Sequence, residues 1–226
     1  LKKPRLKRFL LFYFHYNTFQ HSFNVRKMYL DHLGFNDRIG DITIPKTKLV
    51  LSNHEIGYAK KKLLSLGIID DYFVIIPGAA WSQKQWSKNK YGKLIRKLKI
   101  PCVLVGSEKD KICFEIARFS KNTFNMAGKT SLREAMAIIY NARYVIGSDT
   151  GLMHAAEALG KPVTMIMGPT STETGGGSYL DLSTSVAKDI WCRPCSQNGS
   201  IPCYRDRQYC TETIDVDDVL QTLDKP

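Results

Sequence analysis

Asp149-Thr150-Gly151, with His154 three residues further on, is the stretch of this sequence best placed to do chemistry. It follows a short apolar run and opens a helical pattern. A strand that passes through a glycine-bearing loop into a helix leaves backbone N–H groups pointing outward at the positive end of the helix dipole, where an anion is stabilised. His154 stays within one helical turn of that loop and can face the same ligand. Asp149 has two readings, a cap for the helix or a partner for a ligand hydroxyl, and capping is the simpler one. The likeness of Asp-Thr-Gly to the aspartic-protease triplet fails. That chemistry needs a second carboxylate sharing a proton, and here the triplet leads into the helical MHAAEALG.

Two other residues fit a phosphate-bearing ligand. Lys84 follows the strand-like Tyr72–Ile76 and its Pro77-Gly78-Ala79-Ala80 turn, between Trp81 and Trp86, where an ammonium group could pair with phosphate. Taken alone it is equally an exposed lysine in a lysine-rich stretch. Glu108 follows the next strand-like run and could accept hydrogen bonds from ribose hydroxyls, or could simply be a favourable charge in the first turn of a helix. Cys192, Cys195, Cys203 and Cys210 form a late cluster. The spacing of the first pair suits a metal, that of the second pair departs from a zinc ribbon, and structural metal, disulfides and free thiols stay open. Cys102 and Cys113 read as buried thiols.

The elements that must position these residues alternate. Strands are predicted at Tyr72–Ile76, Cys102–Val105, Thr123–Met126, from Tyr144, before Gly168, and at Ser185–Ile190. Helices are predicted from Ser87 to Leu98, Glu108 to Phe119, Ser131 to Asn141, after Gly151, and from Asp215 to Leu223. Ser52-Asn-His-Glu55 and Ser131-Leu-Arg-Glu134 have the form of capping boxes. This alternation implies an α/β fold with a Rossmann-like parallel sheet, in which ligands bind outside the carboxyl ends of the strands. Earlier in the chain, residues 1–14 read as a strand or an amphipathic anchor, Asn17–Leu33 as a helix, and Asp41–Val50 as a loop or edge segment.

Charge is uneven. Residues 1–70 hold 13 Lys/Arg against 5 Asp/Glu, and residues 71–226 hold 20 against 16, within a net charge of +12. That bias suits an anionic membrane surface or substrate, or a solvated basic face. A nucleic-acid partner is not expected, because no recognised binding motif is present. No apolar run is long enough to span a bilayer, and the basic-then-aromatic start lacks a small-residue cleavage site, so the chain reads as cytoplasmic.

Taken together, PGAAWSQKQWS, LVGSEKD, AGKTSLREAMAIIYNARYVIGSDTGLMHAAEALGKPV and MGPTSTET resemble the C-terminal half of the ADP-heptose:lipopolysaccharide heptosyltransferases, glycosyltransferase family 9, from Tyr72 onward. The resemblance implies the nucleotide-sugar-binding lobe of a GT-B glycosyltransferase, with an ADP-sugar donor, a lipopolysaccharide core acceptor and no required cofactor. It implies diphosphate contacts at Ala79, Ala80, Lys84, Thr150, Gly151 and His154, and nucleoside or sugar contacts at Glu108, Leu132 and Asp149. Ala79 and Ala80 replace the hydroxyl residues common there, so their contacts would come from backbone N–H groups. It also divides the chain into residues 1–70, a remnant of the acceptor lobe with connecting helices, and residues 71–226, the donor domain. The family's general base, an early aspartate, has no counterpart: Asp31, Asp37 and Asp41 lack the expected glycine-rich strand end. A non-catalytic nucleotide-sugar-binding module is the alternative, and a peripheral place on the inner membrane face is implied for either.

Overall fold

The computed structural model describes residues 4–19, 25–34 and 46–223. Six short segments make the strands: β1 (Phe73–Ile76), β2 (Cys102–Leu104), β3 (Thr123–Asn125), β4 (Tyr144–Ser148), β5 (Val163–Ile166) and β6 (Thr184–Val186). They pair in parallel in the order β3-β2-β1-β4-β5-β6, so the chain leaves the growing sheet at β3 and resumes on the other side of β1. A parallel sheet buried on both faces needs apolar residues at its centre, which is why β1 and β2 read as runs, whereas the edge strands β3 and β6 are mostly polar and only partly buried.

Successive side chains feed two cores. Val74, Ile76, Val103, Val145, Val163 and Met165 face one way, towards Leu63 of α3 (Asn53–Ser65), Ile138 of α6 (Leu132–Asn141) and Met153 of α7 (Gly151–Ala158). Phe73, Ile75, Leu104, Ile146 and Ile166 face the other way, towards Tyr91 and Leu94 of α4 (Lys88–Leu98), Ile116 of α5 (Lys111–Ile116) and Val219 of α9 (Val216–Leu220). The expected doubly covered α/β sheet is therefore present.

Both capping boxes form: Ser52 accepts from the Glu55 N–H while Glu55 accepts from the Ser52 N–H, and Ser131 and Glu134 repeat the pattern. Arg133 forks onto Glu55 at 2.6 and 2.8 Å, which joins the starts of α3 and α6. Ser87 stands at the start of α4 but makes no side-chain cap.

Elsewhere the chain departs from the sequence pattern in specific places. Residues 1–14 yield helix α1 (Arg5–Phe14), not a strand, and the Asn17–Leu33 segment yields a shorter α2 (Val25–His32). The helix expected from Glu108 begins only at Lys111. Asp110 accepts from the N–H of Ser107 at 2.6 Å and from its hydroxyl at 2.7 Å, which shapes a turn first. The last strand ends at Val186 rather than Ile190, and the final helix begins behind an Asp215/Asp218 capping box, with α8 (Tyr209–Glu212) just before it. Asp31 lies in α2, whereas Asp37 and Asp41 lie outside the described residues.

Candidate functional site

Where strand order reverses, loops from neighbouring strands leave in opposite directions and open a crevice at the carboxyl edge. Here that point lies between β1 and β4, paired up to Ile76 and Gly147. The Ser148 hydroxyl donates to the Pro77 carbonyl at 3.1 Å and meets the buried Tyr91 hydroxyl at 3.3 Å, which holds the two strand ends together. Gly147 must be glycine: a Cβ there would stand 2.4 Å from the Ile76 carbonyl oxygen.

Asp149 is the centre of the site. Only 5% of it is exposed. Lys84 Nζ lies 3.0 Å from its Oδ2, the Thr170 hydroxyl donates to the same oxygen at 2.8 Å, and His154 Nε2 stands 3.5 Å from Oδ1. Burial pushes the carboxyl pKa up, but the contacts with His154, Lys84 and Thr170 outweigh it and hold the group well below the usual carboxylate range. Asp149 is thus an anion that gathers the Lys84 ammonium and the His154 ring at the crevice. It does not cap α7. Thr150 takes the cap position, with no side-chain bond, because the Asp149 carboxylate is turned inward to Lys84. That leaves the α7 N-terminus open, and Gly151 is exposed with nothing within 4 Å of where a Cβ would be.

Lys84 ends a short 3-10 turn, Ser82–Lys84. The turn is braced from behind: Gln208 donates to the Gln83 carbonyl, and Gly199 packs against the lysine stem, where a Cβ would come within 2.5 Å of Lys84 Cγ. The segment carrying Gly199 is in turn fixed to the Gly168–Thr170 turn. The Cys195 and Ser196 N–H groups donate to the Pro169 carbonyl at 3.1 and 3.2 Å, and Arg193 Nε donates to the Gly168 carbonyl at 2.8 Å.

The remaining expected residues follow the sheet order along the same edge. Ala79 is half-buried and Ala80 exposed after β1. Glu108 is exposed after β2, its backbone pressed against Gly128, a glycine with φ +72°. Leu132 opens α6 beyond β3 and is 62% exposed, a large apolar side chain available to a flat ligand. Lys84, Asp149 and His154 are brought into contact, while Glu108 and Leu132 stand further along the edge.

Thr170, Gly199 and Gln208 were not singled out by the sequence. Of these only Thr170 had a visible signal, the Gly-Pro-Thr turn that closes β5. For the cysteines, left open by the sequence between a structural metal, disulfides and free thiols, the structure gives free thiols. All six are free thiols, and among the described residues no group of three or more His, Cys, Asp or Glu could hold a metal ion. Burial, helped by the three neighbouring thiols, pushes the Cys195 thiol up to about 11.

The sequence profile of glycosyltransferase family 9 (heptosyltransferase) matches residues 38–204, most of the chain and every strand of the sheet. The chain belongs to glycosyltransferase family 9. Lipooligosaccharide heptosyltransferase 2 of Haemophilus influenzae is 36% identical over 107 residues, which are 43% of this chain and 31% of that protein. Lipopolysaccharide heptosyltransferase 2 of Escherichia coli is 33% identical over 107 residues, 43% and 31% of the respective lengths. The match thus spans about a third of the length of these relatives. Among solved structures, the E. coli ADP-heptose lipopolysaccharide heptosyltransferase II superposes with a TM-score of 0.65 at 22% identity, covering 80% of this chain and 53% of that one. The family 9 glycosyltransferase of Veillonella parvula gives 0.60 at 17%, covering 74% and 49%. These two likenesses establish the shared fold.

Proposed function

We propose that the crevice between β1 and β4 is the donor site of a heptosyltransferase, which moves a heptose from an ADP-linked donor to a lipopolysaccharide core acceptor. The observation that carries this reading is the Lys84–Asp149–His154 cluster, built on a buried Asp149, at the switch point beside the open N-terminus of α7. Displacement at the anomeric carbon releases a nucleoside diphosphate, and the groups that stabilise the departing charge speed the step. Lys84, His154 and the first N–H groups of α7 supply that stabilisation. Asp149 keeps both side chains aimed at the crevice and offsets the Lys84 charge while the site is empty. Glu108 takes the ribose hydroxyls, Leu132 packs under adenine, and Ala79 and Ala80 offer backbone N–H groups to phosphate.

Residues 71–226, together with α3, which packs into the same core, form the donor domain in this reading, and the chain before α3 belongs with the acceptor side. α1 presents Leu6, Phe9 and Tyr13 outward on one face, between the basic Arg5 and Lys7, while Leu11 turns inward. Aromatic and basic residues together suit the headgroup region of an anionic membrane, where a lipid-linked acceptor would lie. Among the described residues no helix is long and apolar enough to cross a membrane.

One observation favours a second reading, nucleotide-sugar binding without transfer. The acceptor hydroxyl needs a base, and no carboxylate lines the cavity that adjoins His154 among the described residues. Calorimetry with ADP and ADP-heptose, run beside a transfer assay on a lipopolysaccharide core acceptor, separates the two. Binding with turnover supports transfer, binding without turnover supports the module, and absence of binding removes both.

A further inference from the structure

The Gly168-Pro169 turn after β5 is gripped by two segments of the chain's last third. One grips through backbone: the Cys195 N–H donates to the Pro169 carbonyl at 3.1 Å, beside the Ser196 N–H at 3.2 Å. The other, α8, presses so close that a Cβ on Gly168 would stand 2.9 Å from Thr211 Cγ2 and 2.8 Å from the Gln83 carbonyl oxygen. Cys195 makes the first contact itself and Cys210 directly precedes Thr211, so these two thiols flank one turn. Both segments also brace Lys84. Gly199, whose N–H donates to Ser196 Oγ at 2.9 Å, packs on the lysine stem, and Gln208 donates to the Gln83 carbonyl.

The thiols differ in access. Burial and then the neighbouring Cys210, ahead of Cys203 and Cys192, push the Cys195 thiol up. Cys210 is 7% exposed, whereas Cys203 is only half-buried, with Sγ 3.7 Å from the Arg207 carbonyl oxygen at the surface. A small reagent therefore meets Cys203 first. An accessible thiol backed by resolving thiols is the arrangement that exchanges with disulfides, while isolated buried cysteines stay inert.

We propose that Cys195 and Cys210 are a reversible modification site, which closes to a disulfide by exchange with a small-molecule disulfide that enters at Cys203. The Cys203 thiolate attacks one sulfur of the small disulfide, forms a mixed disulfide and expels one small thiolate. Cys210 then attacks Cys203 Sγ and expels the second. Cys195 attacks Cys210 Sγ and returns Cys203 to the thiol. Two protein thiols are oxidised, one small disulfide is reduced to two thiols, and the protons of Cys195 and Cys210 end on those two thiols. The bridge closes a loop of about 15 residues that carries Ser196, Gly199 and Gln208, and so stiffens the turn that presents Lys84. What this does for a ligand rests on the donor-site reading above.

The test reduces the whole chain, treats it with oxidised glutathione, alkylates it and maps the peptides by mass spectrometry. The expected product carries a Cys195–Cys210 bridge, with Cys192 and Cys203 alkylated. Its melting temperature rises by roughly 6–12 °C. The Lys84 and Gln85 amides, bonded to the Trp81 and Ser82 carbonyls, exchange hydrogen about tenfold or more slowly, and dithiothreitol reverses both effects. On the same treatment Cys195→Ser shows neither effect and Cys192→Ser shows both. Absence of a bridge, a bridge confined to Cys192 and Cys195, or a metal ion that must be removed before the thiols react overturns the proposal. So does a bridge that leaves the two amides exchanging as before. ADP titration separates this site from the donor site: a bridge in a chain that binds no ADP removes the donor-site reading and leaves the modification site standing, and ADP binding without a bridge does the reverse.

Discussion

Replacing Lys84 with alanine separates stability from binding in one residue. Lys84 Nζ sits 3.0 Å from Asp149 Oδ2, with side-chain exposures of 14% and 7%. Removing one member of a buried pair costs about 3–5 kcal/mol when the partner is left alone. Here Thr170 and His154 still serve the carboxylate, so the expected loss is about 2–3 kcal/mol, or roughly 4–12 °C in melting temperature for a chain of this size. Loss of a charge-assisted contact to the diphosphate removes about 1.5–3 kcal/mol more from ligand binding, an affinity drop of roughly tenfold to a hundredfold. Adding Asp149→Asn removes the stranded charge. The double variant should therefore recover most of the stability and none of the affinity. Scanning calorimetry and ADP titration of the three proteins read both quantities. The reasoning is refuted if Lys84→Ala melts like the wild type, if it binds ADP unchanged, or if the double variant is no more stable than the single one.

Asp149 also predicts a pH dependence. Its folded pKa is depressed, so its contribution to stability is complete above the unfolded value of about 3.9 and drains away as pH falls below it. Urea midpoints of the wild type should fall from about pH 4 downward more steeply than those of Asp149→Asn, and parallel curves would contradict the cluster. Gly199→Ala should lower ADP affinity by several-fold although Gly199 touches no ligand, because its φ is +85° and the new Cβ meets Lys84 Cγ. Titration with ADP decides this, and unchanged affinity would mean that Lys84 is not braced there. Glu108→Gln and Leu132→Ala, both at exposed positions, should weaken ADP by roughly tenfold and threefold with little change in melting temperature. A stability loss without a binding loss would reassign them to the fold.

The centre of the sheet was legible because strands such as Phe73–Ile76 and Cys102–Leu104 are unbroken apolar runs followed closely by proline or glycine. Capping boxes are equally local, since Ser52 and Ser131 need only a glutamate three residues on, and both formed. Asp149 shows where local pattern stops. Next to a helix start it reads as a cap, yet its oxygens answer to Lys84 and Thr170, which come from the ends of other strands. Parallel pairing brings those ends together, and nothing in the neighbouring sequence carries that information. The basic start stayed open between a strand and an amphipathic anchor for a related reason. LKRFLLFYF suits a helix or a strand, and α1 buries Arg8 and Leu11 while leaving its aromatic residues outward, the reverse of an ordinary amphipathic pattern. Cysteine spacing likewise left metal, disulfides and free thiols open, because that choice depends on how the loop folds; the four thiols lie near one another without forming a metal-holding group among the described residues.

A crystal structure of the chain with ADP bound would test the donor-site assignment most directly. The predicted result has the diphosphate within hydrogen-bond distance of Lys84 Nζ and the Gly151 N–H, with the ribose at Glu108 and adenine against Leu132. ADP seated away from the β1–β4 crevice, with the Lys84–Asp149 pair making no contact to phosphate, would contradict it.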